Sequence, residues 1–191
     1  MRADCIRCGQ QYAAGACDRC SQCRDLAWVD VARSYGPYRT ELGIILRRYK
    51  YRGDLSLAAG LAALLTLAFE LHFASSQWDL LTPIPTHPAR VRERGFDHLT
   101  LLGAMAGKHL SLPSSTVLAK RLPSRPQAGL SEKQRRHNVR GSFSVKRVVT
   151  GRRLLLLDDI FTTGATVNEC ARVLRDAGAA SVGVLTVARA E

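Results

Sequence analysis

The residue types and spacing best suited to chemistry lie in one stretch, Asp158-Asp159-Ile160-Phe161-Thr162-Thr163-Gly164-Ala165-Thr166. Backbone N–H groups in a small hydroxyl-rich loop, with a helix N-terminus behind them, hold an anion, most naturally a phosphate. Thr162, Thr163, Gly164, Ala165 and Thr166 are the candidate phosphate cradle. Asp158 and Asp159, just ahead of the cradle, are poorly suited to touch a phosphate but well suited to accept hydrogen bonds from nearby hydroxyls. A phosphate and a vicinal diol a few ångströms apart describe a ribose 5-phosphate. The plainer alternative is a buried strand, a polar turn and a Thr or Asp helix cap.

A second cluster suits metal chemistry. Cys5, Cys8, Cys17 and Cys20 read C-x2-C-x8-C-x2-C, and Cys23 follows three residues later. Each C-x2-C pair can grip one side of a tetrahedral ion, with Gly9 and Gly15 allowing the tight turns. Disulfides are the rival, but five clustered cysteines with no export signal argue against them. The expected ligands of a structural zinc are Cys5, Cys8, Cys17 and Cys20, with Cys23 able to replace one of the last pair. So short a knuckle cannot fold on core burial, so metal binding supplies its folding energy. Cys170 stands apart and reads as core.

The elements that must position these groups follow from hydrophobic patterning. Leu154 to Leu157 show neither helical spacing nor alternation, as expected of a strand buried on both faces of a parallel sheet. The acidic pair ends that strand; a helix over Val167–Ala177, capped by Gly178, and a strand over Ser181–Ala188 follow. Strands are also expected over Trp78–Pro85 and Ser142–Val148. Gly36-Pro37 reads as a turn, Arg39–Arg48 as a helix, and Leu55 to Phe69 opens an apolar helix ending near Phe73. Pro88 to Gly95 reads as a basic loop, and Asp97 as the cap of a helix starting at His98. GAMAGKH within that helix is not a P-loop: its glycines are one residue too close, and His109 stands where Ser or Thr must be. The fold class is α/β, a doubly wound, mainly parallel sheet (28–191) behind a small knuckle (1–27). Ligands of such sheets sit at the carboxyl ends of the strands, where Pro85 and Asp158 fall.

Charge narrows the partners. With 28 Lys and Arg against 16 Asp and Glu, the formal charge of +12 points to anions: phosphates, nucleic acid or an acidic protein. Arg47, Arg48, Lys50 and Arg52 lie among Tyr35, Tyr38, Tyr49 and Tyr51, a mixture that can track a single strand of nucleic acid or simply pack at helix ends. No signal peptide is read at the N-terminus, and the run Leu55 to Phe69 falls short of a membrane span, so a cytoplasmic protein without membrane insertion is expected.

The string DDxxTTGxT after an apolar strand resembles the PRPP-binding signature of type I phosphoribosyltransferases. The resemblance sharpens to the ComF family through PIP followed by RxRxRGF, through YKYRGD, through the four-cysteine knuckle, and through Q-x2-L-x4-R-x2-N at Gln127, Leu130, Arg135 and Asn138. It covers nearly the whole chain. It implies a type I phosphoribosyltransferase fold in which Asp158 and Asp159 hold the ribose hydroxyls of PRPP or a nucleotide, and Thr162–Thr166 wrap the 5-phosphate. Thr86, Arg90 and Arg94 would face the pyrophosphate, and Arg135 and Arg136 would sit on a lid over about 122–140. Magnesium would accompany PRPP. The family also implies single-stranded DNA handling in natural transformation, with a competence helicase as partner. The alternative is an active magnesium-dependent phosphoribosyltransferase on an unidentified small acceptor. One departure stands out: Phe96-Asp97-His98 replaces the family's usual Phe-Asn-Gln.

Overall fold

The computed structural model describes residues 3–12, 20, 23, 26–74, 76–121 and 139–190. Its centre is a parallel sheet in the order β3-β8-β7-β4, formed by β3 (Val31–Pro37), β4 (Leu80–Pro83), β7 (Arg153–Phe161) and β8 (Ser181–Arg189). Leu154–Leu157 are fully buried, and the four side chains divide between the faces as a strand's two-residue period requires. Leu154 and Leu156 join Val182 and Val184 in one apolar cluster; Leu155 and Leu157 join Leu185 and Val187 in the other. The doubly covered sheet expected from the leucine run is the observed one.

On one face lie α1 (Thr40–Arg52), α2 (Ala58–Phe73) and α4 (His98–His109). On the other lie α5 (Ala165–Asp176), the antiparallel pair β5 (Leu118–Lys120) and β6 (Phe143–Val145), and the cysteines. The short pair β1 (Ala3–Asp4) and β2 (Gln11–Tyr12) closes a hairpin beside them. Leu55–Phe73, a short 3-10 turn running into α2, has the length and composition of a membrane span, four residues more than the run ending at Phe69. Here it presses Leu61, Ala62, Leu65, Ala68 and Phe73 into the core.

Several boundaries differ from the sequence reading. Asp158 and Asp159 do not end β7, which runs on to Phe161 because β8 supplies partners, Asp158 opposite Thr186 and Phe161 opposite Arg189. Gly36-Pro37 is not a turn but the end of β3, paired with Ala188 and Arg189. β3 is an edge strand, where proline's missing N–H costs no ladder bond. Pro88–Arg94 is a short helix, α3, with proline in its first turn and His87 Nδ1 accepting from the Ala89 N–H at 3.2 Å. Helix α1 continues four residues past Arg48 before Gly53, at φ 65°, caps it.

Candidate functional site

A cavity of about 440 Å³ opens at the carboxyl ends of β4 and β7 and the N-terminus of α5. Strand β7 delivers Asp158 and Asp159 to it, the turn that follows delivers Thr162 and Gly164, and the first turn of α5 delivers Ala165 and Thr166. Thr163 does not line it; its Oγ1 accepts from the Ala165 N–H at 3.4 Å and so shapes the turn. Gly164 is required twice over. Its φ is 75°, and a Cβ there would lie 2.5 Å from Leu26 Cδ2 and 3.0 Å from Phe161 Cζ. Thr86, Arg90 and Arg94 line the cavity from the segment after β4. Arg135, Arg136 and residues 122–138 of the expected lid lie outside the described residues.

The acidic pair is not symmetric. Asp159 is buried, with Lys50 Nζ donating to its Oδ2 at 2.5 Å and the Ile160 N–H to its Oδ1 at 3.0 Å. His98 Nε2 faces the same Oδ2 at 3.6 Å, while its Nδ1 accepts from Arg94 at 2.5 Å. That bond sets the ring's tautomer with its proton towards Asp159. Burial opposes the charge on Asp159, but Lys50 and His98 more than offset it and hold the carboxyl well below the usual range. Burial also opposes the charge on Lys50, and Asp159 and Asp158 outweigh it. Burial lowers His98, which is neutral at physiological pH. Asp158 faces the opposite conditions: burial and its ionised neighbour push it up to about 7. Its Oδ1 accepts from the Asp159 N–H at 2.9 Å. Two further cations reach the pocket that the sequence reading did not assign to it. They are Lys50, read from sequence among the nucleic-acid residues, and Lys120 on β5, whose charge burial disfavours.

The other members of the basic stretch are elsewhere. Arg47, Arg48 and Arg52 are exposed on α1; Arg47 donates to Tyr38 Oη at 3.0 Å and Arg48 to Asp54 Oδ2 at 2.7 Å. Tyr49 is buried and donates to the His98 carbonyl, so it offers no face for stacking, whereas Tyr51 is 70% exposed. Asp97, at the departure from the family pattern, caps α4 by accepting from the Thr100 N–H at 3.3 Å.

The acidic pair does not fit a magnesium ion held directly by carboxylates. Both Asp159 oxygens and one of Asp158 already accept hydrogen bonds, and Lys50 sits where such an ion's charge would be.

The cysteines fit a metal well. The sulfurs of Cys5, Cys8, Cys20 and Cys23 are buried and lie within 4.8 Å of one another, with Cys5–Cys23 at 3.6 Å and Cys8–Cys20 at 3.5 Å. A zinc bond of roughly 2.3 Å in tetrahedral geometry puts sulfurs about 3.8 Å apart. Four such thiols are placed to hold a metal such as zinc. Cys23 completes the quartet, and Cys17 lies outside the described residues. Burial opposes ionisation of Cys5, yet backbone amides of Cys8, Cys20 and Arg7 bring it down to about 6, whereas burial pushes Cys8 up to about 11. Arg189, at the end of β8, donates to the Cys8 carbonyl at 2.7 Å and lies over the Phe161 ring at 4.7 Å. Cys170 is buried on α5, as read from sequence.

Comparison with known proteins places this geometry in a family. Residues 105–191 match the phosphoribosyl transferase domain. Competence protein F of Haemophilus influenzae is 33% identical over 195 residues, covering 97% of this chain and 84% of that protein. DNA utilization protein YhgH of Escherichia coli is 28% identical over 193 residues, covering 97% and 83%. Among solved structures, glutamine phosphoribosylpyrophosphate amidotransferase from B. subtilis, complexed with ADP and GMP, superposes with a TM-score of 0.46 at 23% identity, over 69% of this chain and 26% of that one. The likeness to Competence protein F covers 97% of this chain, and on it this chain belongs to the ComF family, with a phosphoribosyl transferase domain matched over residues 105–191.

Proposed function

We propose that the cavity binds PRPP or a nucleotide 5′-phosphate, and that the protein serves DNA uptake by handling single-stranded DNA in the cytoplasm. One observation carries the ligand reading: the threonine turn and the acidic pair open into a single cavity with Lys50, Lys120, Arg90 and Arg94. The 5-phosphate sits on the α5 N-terminus, whose N-cap is Gly164 at φ 75°, and Asp158 accepts from a ribose hydroxyl. The DNA reading is supported by the names of the two relatives and by exposed Arg47, Arg48 and Arg52 beside Tyr51. Zinc on Cys5, Cys8, Cys20 and Cys23 is the metal proposed for the knuckle, in a structural role.

Calorimetric titration with PRPP, AMP and ribose 5-phosphate tests the ligand reading. Saturable binding lost on Thr162→Val with Thr166→Val supports it; no heat from any of the three refutes it. A second reading, transfer of the phosphoribosyl group, is favoured by Arg90 and Arg94 lining the same cavity, where they can neutralise departing pyrophosphate. Magnesium on the pyrophosphate would add to that neutralisation. Pyrophosphate release from PRPP across a panel of bases and amines distinguishes it from binding alone.

A further inference from the structure

Lys50 is counted among the cavity's cations in the sugar-phosphate reading, but its bond to Asp159 has no role there. It comes from the last turn of α1, its side chain is 23% exposed, and its ammonium reaches across 109 residues of sequence to Asp159. Adjacent carboxylates in a phosphate pocket present an electrostatic difficulty: unneutralised, they repel the ligand they are meant to hold. A divalent cation is the usual remedy, and the hydrogen bonds described above leave little of the pair for one to bind. The cavity is lined by four Lys and Arg and two Asp, so its formal charge is already +2 without any metal.

We propose that Lys50 is the built-in counter-ion of this site, doing at the acidic pair what a divalent cation would otherwise do, so that sugar-phosphate binding does not depend on such a cation. The bond at 2.5 Å holds Asp159 ionised and oriented on Lys50, and leaves Asp158 to meet the ribose. His98 faces the same Oδ2 at 3.6 Å, its own orientation fixed by Arg94. Lys50 is thus a positioning residue, and its removal strands a buried carboxylate. Asp159 must then take up a proton or recruit a cation. This inference rests on the cavity's being a sugar-phosphate site.

The test is PRPP titration of the full chain in EDTA and in excess magnesium, for the wild type, Lys50→Met and Lys50→Arg, with melting curves of each in both buffers without PRPP. Wild type and Lys50→Arg are expected to bind with dissociation constants within about threefold between buffers. Lys50→Met should lose about tenfold or more in EDTA and recover most of it with magnesium. Its melting temperature should rise with magnesium while that of the wild type does not. Wild-type binding that requires magnesium overturns the proposal, and so does Lys50→Met binding metal-free PRPP as well as the parent. Should Lys50→Met fail to fold, the two wild-type titrations decide alone. PRPP binding in neither buffer brings down the sugar-phosphate reading itself, and this inference with it.

Discussion

Replacing Gly164 by alanine adds one methyl group at the point where the phosphate turn meets the cysteine segment. The cost has two parts. A residue with a Cβ held at φ 75° pays about 1–2 kcal/mol for the left-handed conformation. The new methyl would stand 2.5 Å from Leu26 Cδ2, well inside van der Waals contact, and Leu26 is 1% exposed, so it cannot swing into solvent. Overpacking of this kind adds about 1–3 kcal/mol. Together about 2–5 kcal/mol is expected, a fall in melting temperature of about 5–15 °C for a chain of this length. Scanning calorimetry on wild type, Gly164→Ala, Leu26→Ala and the double variant measures both parts. Leu26→Ala removes the obstructing atoms, so Gly164→Ala should cost about 1–3 kcal/mol less in that background. A single variant melting within about 2 °C of wild type, or strict additivity in the cycle, would refute the reasoning.

Three further outcomes are expected. Burial and the Asp159 charge raise the Asp158 carboxyl to about 7, so its contribution to stability is full below the ordinary carboxylate pKa and is lost as pH rises from about 4 to about 7. Asp158→Asn should remove that downward component from the stability–pH profile, and parallel profiles would contradict it. Elemental analysis should find about one zinc per chain; Cys23→Ser should abolish it and Cys17→Ser should not, the reverse result restoring Cys17 as ligand. Replacing Arg47, Arg48 and Arg52 by alanine should weaken single-stranded DNA binding and flatten its salt dependence, and unchanged binding in a filter assay would move the contact elsewhere.

Much of this site was legible in the sequence because its parts are contiguous. The leucine run, the acidic pair and the threonine turn lie within thirteen residues, and local rules suffice to order them as strand, turn and helix. What escaped was whatever depends on distant partners. Gly36-Pro37 carries turn chemistry, and only the facing Ala188 and Arg189 make it a strand end. Lys50 sits in a basic, tyrosine-rich stretch, and nothing local distinguishes it from Arg48 or Arg52; the extra turn of α1 carries it to Asp159. His98 could be flagged as a departure from a family pattern, but its bridging of Arg94 and Asp159 could not. Two C-x2-C pairs were expected, and the sulfurs that come together are those of Cys5, Cys8, Cys20 and Cys23. Spacing alone leaves Cys17 and Cys23 interchangeable, since both lie three residues from Cys20.

The Arg189 guanidinium joins the last strand to the Cys8 carbonyl, 181 positions earlier. Cys8 is synthesised 181 residues before Arg189, so the hairpin waits for this partner while the strands and helices between them are made. Arg189→Ala should therefore loosen the cysteine hairpin, and Phe161, on which the same arginine rests, would carry the disturbance to the threonine turn.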